Sequence, residues 1–225
     1  DYGQSQERGP DEMTDRHLFL KGRSGAGKTT CLLSCLEPYW KGAGGFLTQR
    51  LTDGDGETAG FRLLPVENME EIPSVTRAYE PGIEGIFIER TPEGWRKYPE
   101  VFETLGAEIL NRLLEHPEQY RFCYIDEIGG VELKVKPFME RLERLLGSQA
   151  FCVGVLKHSG NLASLGTRIP LPANAAPDRE WLEAQMEQRF GCRILAFDGG
   201  EAEKMEIRRI IDLRLSGTTV KGSEK

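Results

Sequence analysis

Residues 17–36 read HLFLKGRSGAGKTTCLLSCL, and the architecture can be inferred outward from them. The apolar run Leu18, Phe19, Leu20 predicts a strand, and the spacing of Cys31, Leu32, Cys35 and Leu36 predicts a helix. Between them lies Gly22-Arg23-Ser24-Gly25-Ala26-Gly27-Lys28-Thr29, a G-x-x-x-x-G-K-[ST] motif in strand-to-helix context, which reads as a phosphate-binding loop. Glycines free of a Cβ let the backbone turn its N–H groups inward around an anion, and the helix opening near Lys28 adds unpaired N–H groups and the positive end of its dipole. The candidate phosphate-binding residues are therefore Gly22, Arg23, Ser24, Gly25, Ala26, Gly27, Lys28, Thr29 and Thr30, with Thr29 also a candidate ligand for Mg²⁺.

Outward from this stretch the chain alternates. Gly45–Thr48 and Gly60–Leu64 are short β-favouring runs around two Asp-Gly steps, Asp53-Gly54 and Asp55-Gly56, which predicts a hairpin. Residues 65–84 lack periodicity and read as a surface loop, and Ile86–Ile88 with Thr91–Trp95 reads as a second hairpin. Apolar positions from Val101 to Leu114 recur at helical spacing over 99–114. Arg121-Phe122-Cys123-Tyr124-Ile125-Asp126 and Phe151–Leu156 are nearly continuous apolar runs, the pattern of strands covered on both faces. Helices are predicted around Phe138–Leu146, Trp181–Phe190 and Glu201–Leu215, with a strand at Arg193–Phe197. Such alternation predicts a doubly wound, mainly parallel α/β sheet with added β-hairpins, formed by one domain over residues 17–215. Residues 1–16 read as a flexible leader, 216–225 as a tail, and the proline-bearing segment 161–178 as an exposed loop that a lid would also fit.

The bulk numbers narrow the function. A chain of 225 residues is long enough for one well-buried core. Its net charge of −7 supplies no general field for nucleic acid. Five cysteines, an odd count without a C-x-x-C pair, suit buried reduced thiols, and the three histidines offer no metal-ligand spacing. No apolar run approaches the roughly 20 residues that span a bilayer, and the first residues lack the apolar core of a signal peptide, so a cytoplasmic location is expected, away from membranes.

Hydrolysis needs more than a phosphate cradle. Asp126 and Glu127 end the run FCYID at the carboxyl edge of the sheet, where ligands of open α/β sheets collect. Asp126 is the candidate Mg²⁺ holder beside Thr29, and Glu127 is the candidate that orients, or takes a proton from, an attacking water. Lys28 and Lys157, the latter following FCVGVL at the same edge, are the candidate catalytic cations. Arg96, Lys97 and Arg23 are weaker candidates for that role.

HLFLKGRSGAGKTT, GGFLTQR, GFRLL, KYPEVFE, CYIDEIGGVEL and FCVGVLK occur in the order seen in a known family. From about His17 to Lys157 the chain resembles the small P-loop nucleoside-triphosphatase family first described from thermophiles, which includes the cancer-related nucleoside-triphosphatase. The most specific piece is Asp126–Leu133, similar to that family's D-E-I-G-x-M-E-L with Val131 in place of Met. The resemblance implies a P-loop fold of the RecA/ASCE-like kind. It also implies a Mg²⁺-dependent enzyme that hydrolyses nucleoside triphosphates, ATP and GTP among them, to diphosphate and phosphate with broad base tolerance. Lys28, Thr29, Asp126 and Glu127 match the family's phosphate, metal and water positions, and Glu132 lies in the same signature. The chain departs from the family pattern at Arg50-Leu51-Thr52, at Glu57 and Thr58, in the shorter 98–102 stretch and after Phe197, where an Asn-Arg pair is missing.

Two other functions stay open on sequence alone. One is a P-loop kinase passing the γ-phosphate to an acceptor, for which the 161–178 loop supplies a single arginine, Arg168. The other is a regulatory or assembly protein whose slow hydrolysis times the binding of a protein partner.

Overall fold

A computed structural model describes residues 16–158 and 175–217. Residues 1–15 of the expected leader, 218–225 of the tail and 161–174 of the expected loop fall outside the described residues. Strand β1 (His17–Lys21) leads through the glycine loop into helix α1 (Lys28–Leu36). Next come β2 (Ala43–Thr52), β3 (Thr58–Pro65), β4 (Thr76–Ala78), β5 (Ile86–Thr91) and β6 (Gly94–Lys97). Helix α2 (Ala107–Glu115), β7 (Phe122–Ile128), α3 (Lys136–Leu146), β8 (Cys152–Leu156), α4 (Ala175–Gln188), β9 (Cys192–Ala196) and α5 (Glu201–Leu215) complete the described elements.

These strands form one nine-stranded sheet in the order β6-β5-β3-β2-β7-β8-β1-β9, with β4 on β2. β2, β7, β8, β1 and β9 run parallel, and the two hairpins add the antiparallel β3, β5 and β6. β8 therefore lies between the strand that feeds the glycine loop and the strand that carries Asp126 and Glu127. The apolar runs are explained by cover on both faces. Phe19, Cys123, Ile125 and Leu156 face a cluster that includes α2, α3 and α4. Leu18, Leu20, Tyr124 and Val155 face α1 and α5. Phe138 of α3 packs against Phe46 and Phe102 at ring distances of 6.0 and 5.2 Å; truncating so buried a phenylalanine to alanine costs about 3–5 kcal/mol.

Three expectations are corrected. The 65–84 loop contains β4, paired in parallel with β2 at Arg50–Thr52, and the fully buried Val66; short strands without alternation leave no periodic signal. The helix expected over 99–114 is helical from Glu100, but a π-helical stretch at Phe102–Gly106 separates its first residues from α2. α4 begins at Ala175 rather than near Trp181, with Pro177 in its first turn, where a missing N–H removes no helical hydrogen bond. The cysteines fit the sequence reading, since all five are free and buried.

His17 opens β1 from inside the core, only 1 % exposed. Its Nδ1 accepts the Cys152 N–H at 3.1 Å, so Nε2 carries the proton and donates to the Leu146 carbonyl at 2.8 Å. The neutral ring thus joins the end of α3 to the start of β8. Burial lowers its pKa to about 4, against the Leu146 bond, with Arg16 and Arg214 adding to the drop. Among the described residues no helix is long and apolar enough to cross a membrane.

Candidate functional site

The loop after β1 has the shape its glycines allow. Gly22 stands where a Cβ would lie 2.3 Å from the Phe197 carbonyl oxygen, which closes the position to every larger residue. Gly27, at φ +86°, caps α1 with nothing within 4 Å of its Cβ direction, and no side chain caps the helix. An uncapped helix start beside open space leaves first-turn N–H groups for an external anion. Lys28 is 7 % exposed, and its Nζ donates to the Gly22 and Arg23 carbonyls at 2.8 and 2.6 Å. Burial lowers the Lys28 pKa, while the Glu127 and Asp126 charges raise it.

β7 brings the acidic pair to the same edge. Asp126 is 3 % exposed, and its Oδ2 accepts hydrogen bonds from Thr29 Oγ1 and the Tyr124 hydroxyl, both at 2.7 Å. Burial and, second, the Glu127 charge push the Asp126 carboxyl up to about 7, against the two hydroxyls and Lys28. The Glu127 N–H donates to Thr48 Oγ1 at 3.1 Å, and the Glu127 carboxylate pairs with Lys157 Nζ at 3.5 Å.

The turn that follows is closed from within. Glu132, 2 % exposed, accepts the N–H groups of Gly129 and Gly130, the second at 2.9 Å. Burial raises its pKa, while those N–H groups and the Lys157 charge lower it. The carbonyl of Lys157 accepts from Arg179 of α4; Arg179 pairs with Glu183 at 3.4 Å, and Glu183 also pairs with Lys21 at the end of β1. α4 is thereby tied to both strands that deliver the site's lysines.

One cleft of about 460 Å³ collects Ser24, Gly25, Gly27, Lys28, Thr29, Thr30, Asp126, Glu127 and Lys157 from the predicted set. Three loop residues stand aside: Gly22 offers its carbonyl to Lys28, Ala26 donates its N–H to the Arg23 carbonyl at 3.3 Å, and Arg23 turns outward to Asp198 at 2.8 Å. Arg96 and Lys97 lie on β6 outside the cleft wall; burial lowers the Lys97 pKa, helped by the charges of Lys157 and Lys134. A larger hollow of about 950 Å³ lies at the opposite edge, around Tyr120, Arg121, Phe151 and Arg214. The smaller cleft is the functional candidate, because it lies at the carboxyl ends of the parallel strands and holds the paired carboxylate and lysines. Sequence reading missed Thr48, Arg50 and Arg179. Nothing local marks them, since each gains its place through long-range pairing.

The parallel sheet, the β1–loop–α1 unit and the acidic end of β7 define the P-loop class of α/β proteins. A family model described as NTPase matches residues 17–169. The chain is 28 % identical over 144 residues to nucleoside-triphosphatase THEP1 of Thermotoga sp. (strain RQ2), covering 64 % of this chain and 75 % of that protein. It is 27 % identical over 143 residues to the cancer-related nucleoside-triphosphatase homolog of Mus musculus, covering 61 % and 73 %. The crystal structure of THEP1 from the hyperthermophile Aquifex aeolicus shares the fold, with a TM-score of 0.56 at 19 % identity over 88 % of this chain and 98 % of that one. This chain belongs to the NTPase family and is a hydrolase.

Proposed function

We propose that the chain is a Mg²⁺-dependent phosphohydrolase converting nucleoside triphosphates, ATP and GTP among them, to diphosphate and phosphate, with broad base tolerance. The observation that carries this reading is the convergence of Lys28, Thr29, Asp126, Glu127 and Lys157 on one cleft beside an uncapped helix start. The relatives' name, nucleoside-triphosphatase, specifies no base. The residues present fit magnesium: Thr29 Oγ1 and Asp126 Oδ2 are hard oxygen donors 2.7 Å apart, and such sites complete their shell with water and phosphate oxygens. Bound there, Mg²⁺ supplies charge neutralisation at the outer phosphates.

The chain's own groups do the rest. The loop N–H groups and Lys28 hold the triphosphate and meet charge as it moves to the leaving diphosphate. Glu127 orients a water for in-line attack on the γ-phosphorus and takes its proton. Lys157 holds the Glu127 carboxylate by their 3.5 Å pair and stands ready to offset charge at the γ-phosphate. The reading takes residues 17–215 as one working unit in the cytoplasm. Phosphate release over a panel of ribo- and deoxynucleoside triphosphates, with and without Mg²⁺, tests it. Similar turnover across bases that stops on chelation is expected. Silence on every nucleotide would overturn hydrolysis as the main task and favour a partner-driven switch.

A further inference from the structure

The cleft is roomier than a triphosphate tail and a water require, and the surplus lies on one side. On the proposed reading the loop cradles the inner phosphates and Lys28 reaches the outer ones, which sets Asp126 and Glu127, in the same cleft, at the outer end. Continuing along the sheet from β7 to β2, β3 and β5 therefore passes beyond the γ-phosphate, on the side from which an in-line nucleophile arrives. That half of the cleft is lined by Thr48, Arg50, Phe61, Val75, Thr76 and Ile88. A space meant for water alone gains nothing from an aromatic ring and two aliphatic side chains.

Arg50 is the telling residue. Other arginines of the wing and the cleft rim are committed: Arg62 to Gln49 at 2.8 Å, Arg77 to Glu80 at 3.3 Å, Arg90 to Asp53, and Arg179 to the Lys157 carbonyl. Among the described residues the Arg50 guanidinium makes no hydrogen bond or ion pair, and it is exposed at the cleft wall. A fork of donors left without a partner beside an apolar, ring-sized wall matches a molecule that carries both an anion and a planar ring. A nucleoside monophosphate has that chemistry.

We propose that this half of the cleft binds a nucleoside monophosphate, and that the γ-phosphoryl group passes to it in place of water. The base lies against Phe61, Ile88 and Val75, and the monophosphate faces Arg50. One of its oxygens forms the new bond to the γ-phosphorus as the bond from that phosphorus to the β–γ bridging oxygen breaks. The bridging oxygen leaves with the electron pair on the donor diphosphate. The attacking oxygen is already ionised, so no proton need be removed, and one triphosphate plus one monophosphate give two diphosphates. Arg50 on one side and Lys157 on the other offset the approach of two anions.

This inference rests on the loop-and-carboxylate reading above, and the experiment separates the two. The full chain is incubated with Mg²⁺ and ATP labelled at the γ-phosphate, alone and with each common nucleoside monophosphate, and labelled products are resolved. Labelled diphosphate from at least one monophosphate is expected, with labelled free phosphate falling as it rises. Arg50→Ala is expected to lower the diphosphate yield by ~10–100-fold. Label found only in free phosphate at every monophosphate concentration would overturn the acceptor site while leaving hydrolysis intact. Arg50→Ala transferring as well as wild type would overturn it equally. No release of label without acceptor, by contrast, is the failure of the hydrolase reading.

Discussion

The glycine-containing turns that follow β1 and β7 lie at the same edge of this sheet, and they treat anions in opposite ways. After β1, Gly25 and Gly27 open onto space and α1 starts uncapped, so the N–H groups await an anion from outside. After β7, Gly129 and Gly130 give their N–H groups to the carboxylate of Glu132, an anion the chain itself supplies and buries. Glycine content is the same kind of signal in both. What differs is whether a carboxylate three residues on folds back to fill the turn. The open turn has room for a ligand; the filled turn fixes the path of the chain just past Glu127.

The comparison breaks most visibly at the open turn. Lys28→Ala is expected to weaken Mg-nucleotide binding by ~100-fold or more, because the outer phosphates lose their one full charge from the loop; a fluorescent-nucleotide titration reads this directly. Glu127→Gln keeps the cradle and is expected to bind Mg-nucleotide as wild type does while hydrolysing it ~10²–10⁴-fold more slowly. Equal turnover in that variant would remove Glu127 from the chemistry.

The filled turn gives a subtler pair. Glu132→Ala leaves two buried N–H groups without a partner, costing about 3 kcal/mol and lowering Tm by roughly 6–12 °C. Glu132→Gln keeps an acceptor oxygen and is expected to lose much less stability. Both are expected to lower kcat more than they raise KM, since the turn they loosen positions Glu127 rather than the loop. Thermal melts that put both variants at the wild-type Tm would show that the carboxylate does not hold the turn.

His17 sharpens the contrast further, as an internal partner that works only while uncharged. Its folded pKa, about 4, lies below the usual 6.5, so the unfolded chain binds the proton first. Its contribution is therefore complete above pH 6.5 and is lost as pH falls toward 4, by about 3 kcal/mol in total. Urea unfolding at pH 7 and pH 4.5 measures the loss, and His17→Gln is expected to flatten it. An unchanged slope in that variant would assign the pH dependence elsewhere.

Much of this was legible in the residues alone. The motif at 22–29, its strand and helix flanks, the doubly wound alternation and the carboxylate pair after FCYI are local patterns, and local patterns survive in a linear reading. Lys157 could be placed at the right edge because a buried strand precedes it. Glu132 carried its place in a signature without its partner: nothing in VEL says that the side chain folds back onto Gly129 and Gly130. Arg50 looked like a departure from a family pattern, and only the pairing of β2 with β4 and β3 sets it in the cleft wall beside Phe61.

Short-range patterns were therefore enough to place every α-helix, every strand but β4, and the end of the sheet that carries chemistry, because backbone sterics, periodicity and charge act between residues a few positions apart. Only long-range packing settled which turn stays open, that Arg50 at the cleft wall makes no hydrogen bond or ion pair among the described residues, and which lysine meets Glu127. Those outcomes depend on strand order and register, set by the packing of two cores from residues far apart in the chain, and no short stretch of it encodes them.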